Sequence, residues 1–419
     1  MASSFETVRV EAAGAAGAVG AVRETDILVV GGGLAGLAAA ILTAQAGFSV
    51  VVVDRAPLSA AAGRRDDLRT TALLEPALAV LRQARVWERL ESRAAPLSAM
   101  RMIDAGGREN RARFKGAFDA ADLDRAAFGA NVANGDLHAA LAATAEETPG
   151  ITIIAPAHLE RVTLRADAAL ARLGDGALIS ARLVIGADGR ESAVRAAAGL
   201  RARRLDYGQT ALVFTVSHPE PHGSVSTEIL REGGPFTLVP FTPDEDGRPR
   251  SSVVWMERRA KAARLMAMEE SAFLTAAQER SLGLLGPLAM ASKRAAWPVI
   301  SLLADRFHSR RAALIAEAAH VAPPIGAQGL NMSLKDAETL AQLLVEARRE
   351  QRDIGSDAVL AGLTRARYAD VAMRIAATAA LNGAAIGAAR PIRDLRRAGL
   401  ALIHGTAPLR QAAMRFGLG

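Results

Sequence analysis

Gly31, Gly33 and Gly36 stand in G-x-G-x-x-G spacing between two β-branched runs, and an acid, Asp54, closes the second run. Glycines so spaced permit a sharp turn, a close approach to the backbone, and tight packing of a helix on a strand. The helix start then offers free N–H groups and the positive end of its dipole to a phosphate. An acid about twenty residues on can accept hydrogen bonds from ribose hydroxyls. Strand, turn, helix, strand and acid together make a cradle for a dinucleotide. The elements that must build it are residues 27–30, an Ala-rich helical segment broken at Gly47, and residues 50–53.

Residues 27–53 carry no charge and are long enough to span a bilayer. The clustered glycines, the β-branched ends and the lack of basic flanks argue against a membrane helix. The chain has 419 residues, half of them apolar and 23% charged, the profile of a globular protein with two or three domains. It has no cysteine, which excludes disulfides, thiolate metal sites, iron–sulfur clusters and a cysteine nucleophile. The formal charge is +7, carried mostly by arginine. Aromatics are only 4% and no basic run interleaves with them, so no nucleic-acid partner is expected. An anionic membrane surface suits the excess charge better. Residues 1–24 are Ala/Gly-rich without a basic start and apolar core. They read as a disordered leader, not a secretory signal, and the expected location is the cytoplasm.

Two later stretches repeat the strand–turn–helix logic. The first, GADGRESAVR at residues 186–195, follows the buried run 183–185 and opens a helix at Ser192. Asp188 can order its loop, although Asp-Gly turns are common. In the second, a strand at residues 313–315 delivers Glu317. A stiff loop with Pro323, Pro324, Gly326 and Gly329 leads to a helix expected near Asn331, whose first amides can meet negative charge. Arg69 opens an apolar segment of helical spacing that includes Leu73, Leu74, Leu78, Leu81 and Val86. Taken alone it reads as a solvated helix-start arginine. Residues 131–143 read as a capped helix. Residues 151–155, 159–164, 168–173 and 177–185 read as strands with a turn at Gly174 and Gly176. Residues 203–260 are β-rich and predict an antiparallel sheet suited to substrate recognition. His218 and His222 are four apart, but Pro219 and Pro221 forbid the helix that a metal pair would need, so no metal is expected. The tail from residue 390 combines Arg390, Arg393, Arg396, Arg397, Arg410 and Arg415 with apolar residues. Such a segment either lies on an anionic bilayer or packs its apolar side on the protein.

GGGLAG, GADGRESAVR and AEAAHVAPPIGAQGLNMSLKDA together resemble the three motifs of the class A flavoprotein monooxygenases, with their p-hydroxybenzoate hydroxylase-like fold. The DLRTTAL loop and the Arg/Leu tail resemble the branch that builds ubiquinone. The resemblance runs from about residue 25 to the end of the sequence. It implies an α/β (α+β) fold: a Rossmann-type FAD/NAD(P)-binding domain, an inserted antiparallel β-sheet substrate domain and a helical C-terminus. The expected division is residues 25–96, 126–202 and 296–375 for FAD, 97–125 and 203–295 for substrate, and 376–419 for the C-terminal helices.

Carried over by position, the resemblance implies that Gly31, Gly33 and Gly36 hold the FAD pyrophosphate. Asp54 would hold the adenosine ribose, and Arg55 beside it joins the cofactor set. Arg69 falls at a flavin-contacting arginine, Asp188 on the FAD side of the cleft, and Glu317 on the ribityl chain. Gly329, Leu330 and Asn331 would line the isoalloxazine edge, and Pro324 would face the substrate. Phe214, Phe236, Leu238, Phe241 and Trp255 are the candidate substrate walls. The sequence departs from the family where Gly-Asp becomes Ala316-Glu317, and where a glycine becomes Ser333. His320 reads as a structural hydrogen-bonding residue.

The implied chemistry is hydroxylation of a polyprenyl phenol in ubiquinone biosynthesis through a flavin C4a-hydroperoxide. O₂ is the co-substrate and NAD(P)H, or another donor, the transient reductant. The flavin carries the chemistry and no side chain is a catalytic nucleophile. The implied partners are a lipophilic aromatic substrate, the inner face of the membrane and other quinone-biosynthesis proteins. Two alternatives stand beside this reading: a monooxygenase of soluble aromatics, and a non-catalytic flavoprotein scaffold. A halogenase is disfavoured because W-x-W-x-I-P is absent, only Trp297-Pro298 coming near it.

Overall fold

The computed structural model describes residues 22–58, 69–106, 112–386 and 390–418, with the side chains of 390–393 outside the description. Elements are numbered along the chain. The first sheet is built on uncharged β-branched runs that can be buried on both faces. Its parallel strands run in the order β19 (Ala312–Leu314), β11 (Leu178–Gly186), β1 (Val22–Val30), β2 (Val50–Val53) and β8 (Ile151–Ile154). β18 (His308–Ser309) extends it, while β9 (Leu159–Leu164) and β10 (Ala169–Leu173) form an antiparallel ribbon on β11. Helix α1 (Leu34–Gln45), buried along most of its length, packs beside α3 (Asn134–Glu147) and α7 (Gln328–Arg349). The segment of bilayer-spanning length is thus strand, helix, strand, and no described helix is long and apolar enough to cross a membrane.

A second sheet runs β20 (His320–Val321), β17 (Ala295–Ala304), β12 (Ala202–Ser217), β15 (Arg250–Arg258), β14 (Gly234–Phe241), β13 (Val225–Arg231), β5 (Ala99–Asp104) and β6 (Phe114–Asp119), with β16 (Ala289–Met290) on β12. Its pairs are antiparallel, as the β-rich stretch predicts, except that β13 and β5 run parallel. The alternation of strands sets two faces. Leu212, Phe214, Ile229, Phe236, Leu238, Val253 and Trp255 face one way, against Leu265 of α5 (Arg259–Ala267) and Phe273 of α6 (Glu270–Arg280). A third, small sheet joins β3 (Thr70–Leu74), β7 (Gly129–Ala133) and β4 (Ala95–Leu97).

Several expected boundaries move. The expected leader lies outside the described residues up to residue 21, and its end, Val22–Glu24, is already strand, paired with Leu178–Ser180. Leu73 and Leu74 belong to β3 and not to the helix α2 (Glu75–Gln83), because pairing with β7 overrides their helical spacing. Residues 131–133 are likewise strand, so α3 begins at Asn134, and Ala133 before it supplies no side-chain cap. Ser192 does cap the short α4 (Ala193–Ala197) through the Arg195 amide.

The tail follows α8 (Asp357–Ile386) as α9 (Arg390–Gly405) and α10 (Ala407–Leu418). Arg396 is buried and bidentate on Asp104 of β5 at 2.9 Å, and Arg397 stands 3.7 Å from the same carboxylate. Arg410 is bidentate on Asp122 at 3.0 and 3.1 Å. These arginines fasten the tail to β5 and to the turn after β6. Replacing Asp104 by alanine leaves a buried guanidinium without its counter-charge and should cost about 3–5 kcal/mol. Urea unfolding measures this, and an unchanged midpoint would show that the tail is not anchored here.

Candidate functional site

The parallel strands β2, β1, β11 and β19 end side by side, and their carboxyl ends carry the three motifs. The edge is stitched by backbone bonds. The Gly31 amide donates to Val53 at 2.8 Å, the Ala187 amide to Val30 at 2.8 Å, and the Ile315 amide to Gly186 at 3.1 Å. Ligands of open parallel sheets bind outside this edge. Gly31 has φ +103° and its missing Cβ would overlap the Ala187 carbonyl, while a Cβ on Gly36 would overlap the Gly31 carbonyl. Space in front of Gly33 is open, and Gly33 gives α1 no side-chain cap, so the first amides of α1 are left to an anionic group at this edge.

Asp54 serves the loop itself. Its two oxygens accept from the Gly32 amide at 2.7 Å and the Ala56 amide at 2.8 Å. Arg55 is exposed beside it. The opposite side of the glycine loop is held by His138, buried on α3, whose Nε2 lies 3.0 Å from the Gly32 carbonyl. Sequence reading missed His138; the signal is a histidine on the apolar face of α3 beside Leu137 and Leu141.

Asp188 acts through its loop. It accepts from Ser192 Oγ at 2.6 Å and from the Ala193 and Val194 amides at 2.7 and 3.2 Å, so it holds the start of α4. Arg195 ties this loop to the third motif, donating to the carbonyls of Ala318 and Arg190. Glu317 is half exposed at the strand edge and accepts from Nε and one terminal nitrogen of Arg190, at 3.2 and 3.1 Å.

The loop carrying Glu317 hangs on Asp336 of α7, also missed in the sequence although it stands in the third motif. Asp336 is buried and accepts from His320 Nε2 at 2.6 Å, Arg367 Nε at 2.9 Å and the Ala316 amide at 3.2 Å. Burial works to raise its pKa, but His320 and Arg367 outweigh burial and hold it below the usual carboxylate range. His320 thus has the structural role expected of it. Arg367 and Arg374 share Asp370, and Arg374 reaches Gln328 at the start of α7 and the Phe416 carbonyl of α10.

Helix α7 begins at Gln328, three residues before the expected start. Ala327 before it is left-handed at φ +55° and supplies no side-chain cap. Gly329 faces open space and Leu330 is half-buried. Asn331 is half-buried, and its side chain serves the fold. Its amide accepts from Leu74 at 2.8 Å and donates to Ala72 at 2.9 Å and Ala327 at 2.6 Å, so it clamps α7 to β3. Arg69, at the foot of β3, lies with its guanidinium 4.7 Å from the centre of the Trp297 ring.

Four of the candidate substrate walls are also corrected. Phe214, Phe236, Leu238 and Trp255 are sealed against α5 and α6 on the far face of the second sheet. The near face carries Met102, Glu228, Thr237, Val254 and Val213 in one register row. Thr237, Val239 and Val254 in mid-sheet are only half-buried, so space is left over them. Phe241 lies on this face, under the Arg250 guanidinium at 5.0 Å. Pro324 is exposed and Pro323 buried, while Ile325 packs on Ala211, Met256 and Val299 of this face. His218 and His222 are committed to Glu220, Ser251, Phe241 and Ser224, and no metal-binding cluster exists among the described residues.

The model of the family described as FAD binding domain matches residues 24–369. The chain belongs to the FAD binding domain family. Ubiquinone hydroxylase UbiL of Rhodospirillum rubrum is 32% identical over 398 residues, 94% of this chain and 89% of the relative. The 3-demethoxyubiquinol 3-hydroxylase of Escherichia coli is 28% identical over 94% of this chain and 98% of its own. In fold the chain is similar to Pseudomonas aeruginosa PqsL in complex with 2-aminobenzoylacetate, at TM-score 0.75 and 22% identity, covering 90% of this chain and 99% of that one. It is similar also to p-nitrophenol 4-monooxygenase PnpA of Pseudomonas putida, at TM-score 0.76 and 20% identity, covering 95% and 99%. The residues present fit FAD: the uncapped amides of α1 and α7 and the open space at Gly33 and Gly329 suit a long, anionic group laid along the strand edge.

The departure at Ala316 has a physical cost. Its φ is +54°, left-handed for a residue with a Cβ. That conformation costs about 1–2 kcal/mol, and glycine would relieve it at an entropy cost of about 0.5–1 kcal/mol. Ala316→Gly should therefore stabilise the protein by up to about 1 kcal/mol in urea unfolding. A clear loss of stability would contradict the strain.

Proposed function

We propose that the protein is an FAD-dependent monooxygenase that hydroxylates the aromatic ring of a polyprenyl phenol in ubiquinone biosynthesis. The observation that carries this reading is the juxtaposition of two surfaces. A cradle fit for FAD ends against the near face of a second sheet, where Thr237, Val239 and Val254 leave an apolar strip half open. The likeness to the two ubiquinone-pathway hydroxylases, along nearly the whole chain, supports it.

Bound FAD supplies the activation of O₂, with NAD(P)H as our proposed reductant. The chain's part is to bind, orient and exclude water. The α1 amides and the Asp54-braced loop hold the pyrophosphate end. Glu317, set by Arg190, offers its carboxylate to hydroxyls at the strand edge, and the α7 start offers amides to the ring end. We assign residues 25–96, 126–202 and 296–375 to FAD, and 97–125 with 203–295 to substrate. Ile325 of the stiff loop joins the two, since it packs on the near face of the second sheet.

A polyprenyl substrate dissolves in a bilayer, and the tail offers a surface for one. Leu395, Leu402, Leu409 and Phe416 recur every seven residues along α9 and α10 and are 74, 61, 44 and 39% exposed. Arg396 and Arg410 are committed to Asp104 and Asp122, so it is this apolar row that would enter the inner leaflet.

Deletion of the gene should cause an under-hydroxylated prenyl phenol to accumulate, read by mass spectrometry of quinone intermediates. A normal quinone profile would sink the assignment and favour a soluble aromatic substrate. Purified protein without the yellow flavin spectrum would leave only a scaffold. The pair Leu395→Asp and Leu402→Asp should abolish co-sedimentation with anionic phospholipid vesicles while flavin is retained. Unchanged sedimentation would remove the tail from membrane binding.

A further inference from the structure

One buried acid takes no part in the arrangement above. Glu228, mid-strand in β13, is 4% exposed, and among the described residues no donor or cation is paired with its carboxyl. A buried carboxyl without a partner is destabilising, so its retention points to a ligand that completes it. Strand register fixes where it faces. Ile229 next to it packs against the α5–α6 side, so Glu228 faces the other way, opposite Thr237 and Met102. Across that row follow Thr237 and Val254, and Val254 packs on the cluster that contains Ile325 from the third-motif loop. Neighbouring strands lie about 4.8 Å apart, so Glu228 stands about 10 Å along the row from Val254, roughly the reach of one aromatic ring and its hydroxyl. Thr237 and Val254 are only half-buried, and one pleat away on the same face Ser252 holds a buried hydroxyl without a partner.

Resting on the phenol-hydroxylase reading, we propose that Glu228 accepts the hydrogen bond of the substrate's ring hydroxyl and takes its proton as the ring is oxygenated. The hydroxyl O–H bond breaks, the proton moves to a Glu228 oxygen, and the released electron pair becomes the carbonyl of an oxygenated dienone. The ring carbon takes one oxygen atom as the O–O bond of the activated O₂ breaks. Its hydrogen leaves as a proton to the departing oxygen, which ends as water, and Glu228 returns its own proton to the carbonyl oxygen as the ring regains aromaticity. O₂ and the reductant of the proposed activity supply the oxygen atom and the electrons.

Burial alone pushes the carboxyl up to about 7, so near neutral pH both of its protonation states are populated, as a general base requires. Among the described residues, Asp104 shares this face one pleat along β5 and is neutralised by Arg396 and Arg397. β14 and the end of α8 present no charge here.

The test uses the full chain loaded with FAD and a para-fluorinated, ortho-prenylated phenol followed by fluorine NMR. In the wild type the bound fluorine signal should move toward its phenolate position in one step near pH 7. In Glu228→Gln the step should vanish, and turnover should fall about 100-fold with flavin content unchanged. Glu228→Leu should lose the step too, yet melt at a higher temperature because an unpartnered buried carboxyl is gone. An identical fluorine titration and turnover in Glu228→Gln would overturn the assignment alone. A lower melting temperature in both variants would show the carboxyl to be structural and also overturn it. Failure of the flavin-loaded wild type to bind the phenol would overturn the phenol substrate class and this role together.

Discussion

The Asp336 carboxylate is buried in α7, and the third motif is organised by what it accepts. Taking this charge out of water is costly, and only a full set of donors offsets the cost. Ala316, His320 and Arg367 provide that set from a turn, a strand and a helix. Their convergence fixes the turn that carries Glu317 at the end of the parallel sheet. Arg367 then shares Asp370 with Arg374, which reaches the first residue of α7 and the last turn of α10. One buried charge thus couples the cofactor edge, the start of α7 and the C-terminal helix.

The second sheet divides its two faces by the same economy. Its far face is closed by aromatic packing, with Phe214 and Phe273 at 4.9 Å and Phe236 and Trp255 at 5.5 Å between ring centres. Its near face is left partly uncovered and keeps polar groups without partners. A sheet sealed on both sides would bury more apolar surface and be more stable. The arginine-rich tail shows a related division. Arg396 and Arg410 turn inward to Asp104 of β5 and to the Asp122 turn, while Leu395, Leu402 and Leu409 turn outward, the reverse of a conventional surface helix.

Much of this was legible in the sequence. The glycine spacing, the β-branched runs and Asp54 define a dinucleotide cradle because strand, turn and helix are local events with local signals. Asp188 and Ser192 were legible for the same reason, since a turn and a helix cap involve residues a few positions apart. Within the third motif, Glu317 and the proline loop were readable, while the role of Asp336 was not. A carboxylate that binds residues 16, 20 and 31 positions away leaves no periodic trace.

The sequence by itself determined the cofactor edge, the alternation of the second sheet and the presence of a basic, apolar tail. It could not assign the faces. Phe214 and Val213 stand on opposite sides of β12, and which side is sealed depends on where α5 and α6 pack. The tertiary structure decided that, placed His138 under the glycine loop, turned Asn331 toward β3, and left Glu228 without a partner over the open strip. Each of these depends on contacts between segments far apart in the chain, where the energy of burial, and not local preference, selects the arrangement.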